Sequence, residues 1–195
     1  MPRLRQFDER QVVEQAVRLF LQNGYHATST RDLGEALGLN PSSLYRTFGD
    51  KRGLYLRALD RYLASEGERA AAVLAEPGSV RDRLRALMLT TLNELPGQTD
   101  DTPFGCLVLN TASELGAGDP EASKRIHAAF EGAKAGVNQL LQHGIETGEL
   151  PADTDVTAVA DLVSTTLIGL RVRKRAGETK AALHATVDYA IRALG

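Results

Sequence analysis

The side chains with the most chemical reach form one polar run and two sparser sets. The run holds Ser29, Thr30 and Arg31, then Asn40-Pro41-Ser42-Ser43, then Tyr45, Arg46 and Lys51. It supplies hydroxyl, amide and cationic groups, with no base placed to activate a nucleophile. Its natural chemistry is recognition of a polyanion. Ser29, Thr30, Tyr45 and Lys51 suit phosphate oxygens, and Arg46 suits phosphate or a guanine edge. The four histidines, His26, His127, His143 and His184, are scattered along the chain. No His-x-x-x-His pair, paired-cysteine spacing, Gly-rich phosphate loop or nucleophile elbow occurs. No catalytic residue, metal ligand set or cofactor site is expected.

Cys106 is the one cysteine, which excludes an intramolecular disulfide framework and fits a reducing compartment. It lies near the start of a predicted helix, where the helix terminus favours the thiolate. Asn110 and Glu114 follow on its face at i+4 and i+8, and Glu114 acts the other way on the thiol. Two readings stand together: a redox or electrophile sensor, or a small residue beside a pocket.

The elements that must position these groups are helices. Apolar residues recur at i, i+3, i+4 and i+7, and no run alternates as a strand does. Helix one runs from Asp8 to Asn23 and ends at Gly24. Ser29 opens a second, which Gly38 closes. Asn40 caps a third, barely two turns long, with Pro41 at its first position and Phe48 near its end. Asp50 then caps a long helix from Lys51 to about Leu74. Further helices are predicted from Val80 to about Leu95, Gly105 to Leu115, Pro120 to about Thr147, Asp155 to Arg175 and Glu178 to Leu194. The fold class is all-α, with about nine helices. A helix as short as the third is marginal alone. Joined to the second by Gly-Leu-Asn-Pro, it has the layout of a helix-turn-helix, whose second helix leads into a major groove. A three-helix bundle whose short helix only packs has the same spacing.

The stretch from Ala16 to Leu59 resembles the N-terminal domain of tetracycline-repressor (TetR) family regulators. The matching features are Ala16, Leu19-Phe20, Gly24-Tyr25, Thr28-Ser29, Leu33, Ala36 and Gly38-Leu39. They continue through Ser43-Leu44-Tyr45, Phe48, Asp50-Lys51 and Leu54, in unbroken order over about residues 10 to 60. A later match, Gly105 to Leu115 followed by Asp-Pro-Glu, resembles the ligand-domain segment of one branch of the family. The resemblance implies residues 1–50 as a DNA-binding domain, a linking helix over about 51–74, and residues 75–195 as an effector-binding and dimerisation domain. It also implies double-stranded operator DNA, a second copy of the chain and an unidentified small-molecule effector as partners. Two positions depart from the family pattern. Pro41 stands where a donor such as Lys is frequent, and Arg46 where a His or aromatic residue is frequent.

In the C-terminal helices Val159, Val163 and Leu167, with Leu183, Val187, Ile191 and Leu194, form apolar stripes. They suit a four-helix interface between two copies, or else closure of the monomer core. An effector pocket is expected among Met88, Thr91, Phe104, Cys106, Asn110, Phe130, Asn138, Thr165 and Thr166, where polar atoms interrupt apolar faces.

The chain has 195 residues and net charge −2. Residues 1–62 carry ten Lys/Arg against seven Asp/Glu, so a basic head sits on an acidic body. The N-terminus turns charged and amphipathic without a signal-peptide core, and no apolar run approaches the roughly 20 residues of a membrane span. The expectation is a cytoplasmic, ligand-responsive transcriptional regulator, most often a repressor, with no membrane partner. A helical module that binds protein rather than DNA is the alternative.

Overall fold

The computed structural model describes residues 8–92 and 106–193. Its described residues form nine α-helices and one 3-10 turn, with no strand. They are α1 (Glu9–Asn23), α2 (Thr30–Leu37), α3 (Pro41–Phe48), α4 (Lys51–Ala75) and α5 (Val80–Leu92), then α6 (Leu107–Glu114), α7 (Pro120–Glu146), α8 (Val156–Arg175) and α9 (Lys180–Ala193). Contacts divide the chain into two compact units. Met1–Ser65 with Gly105–Ile126 make the first, and Glu66–Phe104 with His127–Gly195 make the second.

Helix ends in the first unit follow from local chemistry. The Asp8 carboxylate caps α1 by accepting from the Arg10 and Gln11 amides. Ser29 and Asp32 form a reciprocal capping box at α2, with Asp standing in for the usual Glu. Asn40 caps α3 by accepting from the Ser43 amide. Gly38 ends α2 in the left-handed conformation, at φ 63°, which lets the chain turn tightly into α3. Leu33, Leu37, Leu44 and Phe48 bury the inner faces of α2 and α3. Burial of side chains this size contributes about 1.5–3 kcal/mol each, which is what holds an eight-residue α3 in place.

Aromatic packing and α6 complete this unit. Tyr55 is fully buried, edge-on to Phe20 at 4.8 Å and to Tyr25 at 4.9 Å. Its hydroxyl lies 2.8 Å from Thr111 Oγ1, and burial pushes its pKa up to about 12. The Asn110 amide donates to the Phe20 and Leu21 carbonyls at the end of α1. Glu114 accepts from the His26 amide at 2.7 Å. Asp119 caps α7 through the Glu121 and Ala122 amides and takes a bidentate pair from Arg52, at 2.6 and 2.8 Å.

The second unit is a separate core. Leu84 and Met88 of α5, Val137, Leu140 and Leu141 of α7, Val163 and Leu170 of α8, and Leu183, Val187 and Ile191 of α9 pack together. Cross-helix ion pairs rim it: Lys134–Asp161, Arg85–Asp188 at 2.8 Å, and Glu66–Arg171, with Arg69 joining Glu66 from within α4.

Most residues of the expected dimer stripe lie in this core. Val163, Leu183, Val187 and Ile191 are 8% exposed or less within their own chain, so almost no surface is left for a partner. Val159 and Leu167 pack partly against the same core, and Leu194 lies outside the described residues. The exposed faces of these helices carry other small and apolar residues. On α8, Ala158, Leu162, Thr165, Gly169 and Val172 recur at steps of four and three; on α9, Ala181, Ala185 and Tyr189 recur at steps of four. Leu162 is 49% exposed, Val172 50% and Tyr189 69%.

Candidate nucleic-acid interface

The polar run is gathered at the α2–α3 turn and its flanks. Ser29, Thr30, Arg31, Asn40, Ser42, Tyr45 and Arg46 are exposed, Ser43 is half-buried, and Pro41 is the first residue of α3. A solvent-facing edge of hydrogen-bonding groups thus stands on an apolar base, as burial of Leu44 and Phe48 demands. Helix N-termini such as those of α2 and α3 direct N–H groups outward, a geometry suited to phosphate.

Several of these side chains have defined roles before any ligand arrives. Ser29 Oγ accepts the Asp32 amide at 3.1 Å, and Asp32 accepts the Ser29 amide at 2.8 Å. These bonds from Ser29 hold the Asp32 carboxyl below the usual carboxylate range. Ser42 Oγ donates to Asn40 Oδ1 at 2.7 Å, beside the Ser43 amide at 2.8 Å, so one oxygen organises the head of α3. Arg31 pairs with Glu35 one turn along at 2.9 Å, both well exposed, an arrangement worth a few tenths of a kcal/mol.

Cations next to the run divide by partner. Arg52 is engaged by Asp119, and that bond holds the Asp119 carboxyl down to about 2. Arg57 pairs with Glu9 and lies 6.0 Å from the Phe48 ring centre. Lys51 is half-buried, donating to the Tyr25 and Thr28 carbonyls at 2.9 Å each. The side chains of Tyr45, 48% exposed, and Arg46 make no hydrogen bond or ion pair among the described residues.

The residues expected to line a pocket do not share one unit. Met88 is buried in the second core, and Thr91, half-buried, donates back to the Leu87 carbonyl at 3.1 Å. Phe130, Asn138 and Thr166 are half-buried in the same unit. The Asn138 Oδ1 is enclosed with no hydrogen-bond partner among the described residues. Thr165 faces solvent on the exposed stripe of α8. Cys106 and Asn110 belong to the first unit, where Cys106 is the residue before α6 and Tyr62 OH donates to its Sγ at 3.8 Å. Phe104 lies outside the described residues.

Sequence reasoning passed over Arg52, Glu114 and Asp119 as tethers. The Asp-Pro pair at 119–120 signals a helix cap, but spacing carries no trace of its bond to Arg52, 67 residues away.

A profile described as bacterial regulatory proteins, tetR family, matches residues 12–58, and one described as tetracyclin repressor-like, C-terminal domain, matches residues 81–190. The chain is 33% identical over 177 residues to the HTH-type transcriptional regulator YezE of Bacillus subtilis, covering 87% of each. To the HTH-type transcriptional repressor ComR of Escherichia coli it is 30% identical over 172 residues, covering 88% of this chain and 81% of ComR. Among solved structures, a cysteine mutant of the TetR family transcriptional regulator CifR, complexed with 26-bp double-strand operator DNA, superposes with TM-score 0.82. It shares 33% identity, over 98% of this chain and 99% of that one.

Proposed function

The chain belongs to the tetracycline-repressor family of transcriptional regulators, and from that premise we propose how its residues read an operator. Arg46 and Tyr45 of α3 face base edges and adjoining phosphates. Asn40, Ser42 and Ser43 at the tip of α3, with Ser29, Thr30 and Arg31 at the head of α2, hold the backbone on either side. The observation that carries this reading is the exposed pair Tyr45–Arg46, whose side chains are unengaged among the described residues, on a helix anchored beneath by Leu44 and Phe48.

A homodimer presents two such tips. They seat in successive major grooves when their separation matches one turn of DNA, about 34–36 Å. The partner-facing surface is assigned to the exposed apolar stripes of α8 and α9, with Leu162, Val172 and Tyr189 at its centre. Residues 75–195 carry the effector site. The Asn138 amide oxygen is the group there that a ligand donor would complete, because a buried acceptor without a partner costs about 1–3 kcal/mol. A thiol-reactive effector would act instead at Cys106. Either kind releases DNA by favouring the conformation in which the two tips are misplaced, and the shift equals its differential affinity for the two states. The protein works by binding alone, without catalysis, in the cytoplasm. No helix among the described residues is long and apolar enough to cross a membrane.

Arg46→Ala tests the assignment. A bidentate contact to guanine predicts a loss of about 1–3 kcal/mol and relaxed preference at one position of each half-site. Unchanged affinity and unchanged preference in a folded variant would remove α3 from the interface.

A further inference from the structure

Lys51 is the first residue of α4, a 25-residue helix. A cation there faces the positive end of the helix dipole and its outward N–H groups, an unfavourable place for an ammonium. Two features offset this. Asp50 Oδ1 accepts the Gly53 amide at 2.7 Å, placing a carboxylate at the same terminus. The ammonium itself is turned back: Nζ donates 2.9 Å to the Tyr25 carbonyl and 2.9 Å to the Thr28 carbonyl, and lies 4.2 Å from the Tyr25 ring centre.

Those two carbonyls belong to the connection between α1 and α2. Thr28 is fully buried, its hydroxyl donating to the Gly24 carbonyl at 2.7 Å and its amide to the Tyr25 carbonyl at 3.3 Å. The Tyr25 ring is fixed edge-on against Tyr55. Ser29, which caps α2, follows Thr28 directly. Two of the three ammonium protons are therefore committed to the backbone that sets where α2 begins, and the ring face takes up further charge.

We infer that Lys51 is a positioning residue: it clamps the Tyr25–Thr28 connection and so aims Ser29, Thr30 and Arg31 at the DNA backbone, rather than pairing with a phosphate itself. The inference rests on the operator reading above and assigns Lys51 a different part in it from the phosphate contact its residue type suggests.

Salt dependence separates the two parts. Each phosphate neutralised contributes about 0.9 to the slope of log affinity against log salt, so one lysine per protomer contributes about 1.8 in a dimer. The duplex used is one recovered by the wild-type protein from a random DNA pool. Lys51→Met, measured where it is fully folded, is expected to bind about tenfold more weakly at every salt concentration, with the wild-type slope retained. In the DNA-free protein, amides of residues 25–29 should exchange faster in the variant while those of α3 keep their protection. A slope lower by about 1.8 would make Lys51 a phosphate contact and overturn the proposal. So would unchanged affinity with only a lower denaturation midpoint, which marks a purely structural residue. Should Lys51→Met fail to fold, nitrogen NMR of the wild-type ammonium decides. Its resonance should be slow to exchange and unmoved when the duplex is added, and a shift on addition rejects the inference. A wild-type protein that retains no duplex at low salt refutes the operator reading itself, and differs from the other outcomes because in those the wild type binds.

Discussion

Gly24→Ala probes how α6 holds the DNA-binding head. Gly24 has φ 81° and ψ 179°, a region essentially closed to other residues, so any side chain there costs about 1–3 kcal/mol. An added Cβ would also stand 2.2 Å from Glu114 Oε1 and 3.1 Å from Oε2. The carboxylate must withdraw, weakening its bond to the His26 amide, which as a charge-assisted bond is worth about 1.5–3 kcal/mol. Together the two effects predict a loss of about 2.5–6 kcal/mol. Gly49→Ala is the comparison, since Gly49 has φ 81° with nothing within 4 Å of an added Cβ and suffers only the backbone cost. Urea denaturation at fixed protomer concentration reads both, because dimer stability depends on concentration. Glu114→Ala removes the obstructing group, so the double variant should be less destabilised than the sum of the singles by about 1–2 kcal/mol. Additivity within about 0.5 kcal/mol, or Gly24→Ala no worse than Gly49→Ala, would refute the proposed seat of Glu114 on the α1–α2 connection.

Asp119→Asn keeps an acceptor for the α7 amides but loses the charge paired with Arg52. The native carboxyl titrates at about 2, below its ordinary value, so its contribution is present above about pH 4 and is lost as pH falls toward 2. Allowing for the part-exposed Arg52, the variant should be about 1–2 kcal/mol less stable at pH 7, and the difference should halve near pH 3. A gap between the two urea midpoints that does not shrink with acid would contradict this. Asn40→Ala removes the α3 cap and should cost about 1 kcal/mol in the same assay, with weaker DNA binding; no change in either would mean the cap does not organise the tip. Leu162→Glu with Tyr189→Glu should give a folded monomer by sedimentation. A retained dimer mass would place the interface elsewhere.

The first three helices were legible because their boundaries are local. Asp8, Ser29 and Asn40 accept amides within three residues, and Gly24, Gly38 and Gly49 stop helices whatever else the chain does. The α8 and α9 stripes were legible as apolar but not as to what covers them. Periodicity locates an apolar face, and here the strong face at Val163 and Val187 is taken by the chain's own core, while Leu162 and Tyr189 stay exposed. Groups joined across long sequence separations were illegible for another reason. Asn110 and Lys51 both satisfy backbone carbonyls, of Phe20 and Leu21 or of Tyr25 and Thr28, and a carbonyl carries no residue-type signal at all. Each looked suited to a ligand because its side chain is polar. Packing gave it backbone to hold.

Operator binding requires two copies of the Asn40–Arg46 tip to meet duplex DNA in symmetric register. Selection of bound sequences from a random duplex pool by the full-length protein measures this directly. The expected product is a palindrome whose half-site centres lie about one helical turn apart, lost with Arg46→Ala. Recovered sequences without two-fold symmetry, or the same palindrome from the Arg46→Ala protein, would contradict it.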